Sequence, residues 1–264
     1  MKGKVTNMGM KASNKIATFF KYFVLILVGV IMIYPLLWMI SATFKDNSEI
    51  FAGISLWIKK PTLDGYRNAL NNFGGSINIL QAMLNTYSYV LPKVICTVVS
   101  ACIAAYGFGR FDFPGRKLLF NIMLATLFLP QVVLNVPQYL LYNKFGWVDS
   151  YMPFWVPALL ACYPFFIYQL IQFMRGIPRD LDESACIDGC GTFRIFWQIL
   201  LPLKKPALFS AGLFQFLWTY NDYFNSLIFI NSVKKYTISL ALRLSVDAES
   251  VVVWGRVMDM ACVA

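Results

Sequence analysis

Asp222 is the one acid well inside a long uncharged run, residues 206–230. Around it, Gln215, Trp218, Thr219, Asn225 and Ser226 recur at helical intervals, which predicts one face of a single helix. Gln131, Asn135 and Gln138 form a second polar stripe in the run 118–143, with Pro130 and Pro137 as bend points. Tyr168, Gln169 and Gln172 lie near the end of the run 150–174. Polar groups in apolar surroundings are costly, so they face a partner helix or a wet cavity. The chemistry open to amides, one carboxylate and an indole is hydrogen bonding, not bond making. Histidine is absent, which removes the commonest general base and neutral metal ligand. The cysteines are 96, 102, 162, 186, 190 and 262. Cys186 and Cys190 are one helical turn apart, but no third or fourth ligand accompanies them, so they read as small hydrophobes and not as a metal site. No residue is assigned a catalytic role. No Gly-x-x-x-x-Gly-Lys-Ser/Thr occurs, so the chain is read as carrying no ATP-hydrolysing site of its own.

The elements that must position these groups follow from the charge-free runs. Only 14% of the 264 residues are charged and mean hydropathy is +0.59; soluble domains carry about 25% charged residues. About 20 apolar residues cross the hydrocarbon core as a helix. Runs 22–44, 86–109, 118–143, 150–174 and 206–230 meet that length if Lys93 is tolerated in the second by snorkelling outward. An all-α polytopic membrane bundle of five complete spans is expected. The first run exceeds a secretory h-region of about 15 residues and no convincing cleavage site follows, so it reads as an uncleaved helix. A further apolar helix starts near Gly255 and stops after ten residues, the beginning of an incomplete sixth span. With the N-terminus (1–21) cytoplasmic, inside segments hold 13 basic residues against 8 outside. The net charge of +10 then has a cytoplasmic address, and nucleic acid is not a predicted partner. Residues 45–85 form a long outside segment with a turn at 71–75; 110–117 and 144–149 are tight turns.

The longest inside segment, 175–205, carries the most information. Pro178 precedes a helix start where Asp180 is expected to N-cap and Glu183 to complete a capping box. Gly189 supplies the positive φ that ends the helix. Thr192 is expected to cap a second short helix, 193–200, which Pro202 closes. The first helix has no apolar partner within its own loop on this reading, so it must dock elsewhere.

Glu183-Ser-Ala185, Gly189 and Ile199-Leu-Leu201-Pro202 resemble the EAA signature of type I ABC importer permeases, with Ser184 in place of the first Ala. Ala104–Arg116 and Phe44–Phe51 resemble segments of the carbohydrate-uptake branch of the maltose type. Phe216–Tyr223, which includes Asn221, resembles its fifth-span motif, although Ser226 stands where a Pro is common. The resemblance implies a permease that takes a sugar or oligosaccharide into the cell. Glu183, Ala185, Asp188, Gly189, Ile199, Leu201 and Pro202 would form the ATPase-coupling loop. Gln131, Asn135, Trp218, Asn221, Asp222 and Asn225 are the candidate ligand path; pairing between helices is the alternative for each. The chain itself would need no cofactor, because ATP and Mg would sit on a separate ABC ATPase. The implied partners are those ATPase subunits, a second homologous permease, an extracytoplasmic sugar-binding protein and the lipid membrane. The rival function, an ion-coupled secondary transporter, predicts inverted repeats; none is visible.

Overall fold

The computed structural model describes residues 5–72, 76–247 and 253–263. Within them the architecture is all-helical. The chain forms two compact units, one drawn from residues 1–78 and 244–264, the other from 79–243.

In the first unit, helix Val5–Ala42 runs for 38 residues and exposes its apolar side chains from Phe19 to Ile40. Its segment Thr18–Ala42 has the length and hydropathy to cross a membrane. The 45–72 segment holds two short helices, Asn47–Ile50 and Asp64–Leu70. Asp46 caps the first by accepting from Ser48 Oγ and Ser48 N, and those two donors hold its carboxyl below the usual carboxylate range. Part of the turn expected at 71–75, residues 73–75, lies outside the described residues, as do 251 and 252. Trp254–Val263 is a ten-residue helix packed against Asp64–Leu70.

The second unit is organised on helix Ile79–Arg110, 32 residues long with Pro92 inside it. Met152–Leu159, Pro164–Arg175 and Lys205–Tyr220 all pack on it. Small residues on its faces, Ala101, Cys102 and Ala105, meet Phe166, Leu170, Met174 and Ala211 in one buried cluster. A Cβ at Gly109 would stand 2.5 Å from Met174 Sδ, so a larger residue there would force the buried Met174 side chain to shift.

Three of the expected spans are each divided into two helices, the 150–174 run into Met152–Leu159 and Pro164–Arg175. The 118–143 run is two helices, Arg116–Thr126 and Gln131–Lys144, bent by 101°. The break falls at 127–130, where Pro130 removes a donor and disfavours helix at the residue before it. The 206–230 run splits into Lys205–Tyr220 and Tyr223–Phe229. Asp222 causes this: its side chain accepts from Asn225 N and starts a new helix in place of continuing the old one. The polar face centred on Asp222 is therefore assembled from two helices. Among the described residues, three helical segments have the length and composition to cross a membrane, or four with the bent pair counted as one.

At the N-terminal end of Ile79–Arg110 the connections are tied by Asp149. It adopts φ +60 and accepts from Asn231 N (3.0 Å), Ser232 N (2.8 Å), Ser232 Oγ (2.6 Å) and Lys235 Nζ (3.0 Å). Asn85 completes the bracket by donating to the carbonyls of Lys234 and Tyr236. Partial burial alone raises the Asp149 carboxyl pKa, but these donors outweigh it and hold the group well below its ordinary 3.8. The stability this contributes is full above about pH 3.8 and is lost as pH falls through the depressed folded-state value. Asp149→Asn should lower the thermal midpoint in detergent at pH 7 by several degrees, at about 2–4 °C per kcal/mol lost. The gap from wild type should close as the pH is taken below 3.8. Equal midpoints at pH 7 would rule out this bracket.

Candidate functional site

The loop 175–205 folds onto itself. Its first helix is Asp180–Ile187. The cap differs from the sequence expectation: Arg179, in helical conformation, occupies the N-cap position and no side chain caps the helix. Asp180 lies inside the first turn, so its carboxylate contributes through the helix dipole and not as a cap. Gly189 has φ +78, as its C-terminal position requires. The second segment also starts differently. Gly191 is the N-cap, and Thr192–Leu203 contains a π-helical stretch, Ile195–Leu200.

The expectation that the first helix lacks an apolar partner in its own loop is overturned. Ala185 is buried against Ile195 and Leu200, with Ile199 and Tyr106 beside them. A small residue at 185 lets the two helical segments close together. Leu201 packs onto the Phe166 cluster and Pro202 lies in the turn Leu201–Leu203. The outward face is different in kind. Glu183, Asp188 and Gly189 are exposed, and so are Ile187 (87%) and Phe193 (75%). Two large apolar side chains this open, beside acids, make a surface suited to a protein partner.

The loop is also tied to the C-terminal end of Ile79–Arg110. Arg110 Nε lies 2.7 Å from Asp182 Oδ2, and Arg110 donates to the Ile177 carbonyl at 3.0 Å. Tyr106 Oη donates to the Thr192 carbonyl at 3.0 Å, and its ring lies 4.9 Å from that of Phe196. Lys204 is fully buried, with its ammonium over the rings of Tyr106 and Phe196. Burial pushes the Lys204 pKa below the ordinary lysine value.

Deeper in the same unit is a cavity of about 800 Å³. Of the candidate path residues, Gln131, Trp218, Asp222 and Asn225 line it together, with Gln138, Gln215 and Thr219. Asn135 and Asn221 do not: Asn135 is buried, and Asn221 donates to the Leu217 carbonyl at 2.8 Å. The Asp222 carboxylate is held by Asn225 Nδ2 at 2.9 and 3.0 Å. Trp218 packs among Phe165, Phe166 and Phe214 with its ring tilted against theirs.

Lys93 corrects the sequence reading most sharply. It does not snorkel outward. It is 6% exposed, lines the cavity, and places Nζ 5.4–5.8 Å from the ring centroids of Tyr89, Phe154 and Tyr163. Three aromatic faces replace part of the lost hydration. The aromatic residue one turn before it, Tyr89, was the available signal; Phe154 and Tyr163 come from distant sequence. Lys93 and Asp222 are the two charged residues of the lining.

This geometry has relatives. A helix bundle of the same fold occurs in the solved structure of a bacterial ABC transporter involved in the import of the acidic polysaccharide alginate. The TM-score is 0.84 over 95% of this chain and 92% of that one, at 18% identity. The trehalose/maltose transport system permease protein MalG of Thermococcus litoralis is 29% identical over 233 residues, 88% of this chain and 83% of its own. The galactooligosaccharides transport system permease protein GanQ of Bacillus subtilis is 32% identical over 238 residues, 88% of this chain and 82% of its own. Residues 98–254, which include the loop and most of the cavity lining, match the model of the binding-protein-dependent transport system inner membrane component. The chain therefore belongs to that family, the permeases whose EAA signature residues 183–202 resemble.

Proposed function

We propose that the chain is a permease subunit of an ATP-driven importer and carries a sugar or oligosaccharide across the membrane. The observation that carries this is the loop: compact inside, apolar and acidic outside, and fastened to the helix that reaches the cavity. Glu183, Ile187, Gly189 and Phe193 would meet a cytoplasmic ABC ATPase, which binds ATP and Mg. The N-terminus would be cytoplasmic, in keeping with the basic residues of the loop. A second, homologous permease and an extracytoplasmic binding protein would complete the importer. The cavity, with its indole, its amides, one ammonium and one carboxylate, suits a polyhydroxylated ligand, since sugars present both apolar faces and many hydrogen-bonding groups. The relatives' names, trehalose/maltose and galactooligosaccharides among them, support that ligand class.

The test is co-expression of the tagged chain with the transporter genes beside it, followed by uptake into proteoliposomes. Labelled maltose, trehalose, diacetylchitobiose and galactooligosaccharide serve as probes. An ATPase subunit should co-purify, and uptake of at least one probe should require ATP. Uptake that persists without ATP and collapses with a protonophore would establish ion coupling instead.

A further inference from the structure

The loop has two mechanical routes to the membrane helices. One is covalent, through Pro164–Arg175 before it and Lys205–Tyr220 after it. The other is the set of side-chain contacts to Ile79–Arg110, which is not its neighbour in sequence. We infer that the second route delivers the stroke: Arg110–Asp182, with Tyr106 beside it, is a joint through which the loop moves helix Ile79–Arg110.

The joint engages both halves of the loop. Asp182 and Ile177 hold Arg110 from the first half, and Thr192 and Phe196 hold Tyr106 from the second. The Arg110 side chain is only 8% exposed and that of Asp182 20%, so water competes weakly for the pair. A buried pair is weak evidence for stability but holds two elements in one geometry. The same helix carries Lys93 into the cavity, roughly 25 Å away by helical rise. Its contacts with Met152–Leu159, Pro164–Arg175 and Lys205–Tyr220 make it the element whose displacement reaches most of the cavity wall. Asp182 points at Arg110 and is not part of the exposed face assigned to the ATPase.

This inference rests on the loop docking an ATPase, and the experiment separates the two. Cys162 lines the cavity and is exposed, so its maleimide labelling reports cavity access without a known substrate. Peptide-resolved labelling is measured on the assembled transporter, without nucleotide and with ATP plus vanadate. Wild type should show at least a threefold change in rate. Asp182→Arg should capture the ATPase normally but lose the change, and Arg110→Asp with Asp182→Arg should restore it. Tyr106→Phe, which removes one hydrogen bond and keeps the ring, should lose part of it. Failure of wild type to capture an ATPase would sink the functional reading. Normal capture with an unresponsive Cys162 in wild type, a wild-type response in Asp182→Arg, or no rescue by the exchanged pair would each overturn the joint.

Discussion

Gly189→Asp should abolish ATP-dependent uptake while the protein still inserts and purifies in normal yield. Gly189 ends helix Asp180–Ile187 at φ +78, and a Cβ built there meets nothing within 4 Å. The left-handed conformation costs a non-glycine residue about 1–2 kcal/mol, less for Asp, whose side chain can bond locally. A carboxylate beside a helix C-terminus adds about 0.3–1 kcal/mol. Those sums are too small to unfold the unit. Among the described residues nothing fills the space a new side chain would take, so the damage must fall on whatever docks against the exposed face. Co-purification of the ATPase should drop at least tenfold. Gly189→Asn is the control, because Asn tolerates the same conformation without charge; it should retain more capture than Asp. Full capture by Gly189→Asp would show that the partner does not approach this face.

How much of this was legible in the residues differs between loop and cavity. The loop is a local structure. Its glycine, its acids and its closing proline act within a few residues of each other, so spacing alone located the helix and its end at Gly189. Spacing misplaces the cap, because it puts Asp180 just before the first turn and the residue lies inside it. What spacing could not find was the other half of the joint: Tyr106 and Arg110 are more than 70 residues from Asp182 and Thr192. The cavity shows the opposite pattern. Polar residues in apolar runs marked Gln131, Trp218, Asp222 and Asn225, but a period of 3.6 extended through Asp222 implied an unbroken helix. A carboxylate that can cap outcompetes continuation, and the break turns Asn221 back onto Leu217. Stripe membership groups Asn135 with Gln131 and Gln138, yet on that one helix those two line the cavity while Asn135 is buried.

Lys93→Met should reduce sugar uptake at least tenfold and leave assembly with the ATPase unchanged. Met matches the lysine stem in length and remains among the rings of Tyr89, Phe154 and Tyr163. The cation–π attraction lost is about 0.5–2 kcal/mol, and removing a buried charge recovers desolvation in return. Stability should therefore change little, and its thermal midpoint checks this. The cavity changes far more. Asp222 is the other charge in the lining, and its carboxylate is already engaged by Asn225. The ammonium of Lys93 makes no hydrogen bond to the protein among the described residues, so its three donors are free for ligand oxygens. Among the described residues, removing it takes the one cation from the cavity wall while the acid remains. Lys93→Arg keeps the charge in a larger, planar group and should retain part of the uptake. Asp222→Asn tests the other side: Asn caps helices as well as Asp does, so Tyr223–Phe229 should stay folded. A drop in uptake with an unchanged melting point would then belong to the charge and not to the cap. Wild-type uptake in both Lys93→Met and Asp222→Asn would move the ligand route away from this cavity.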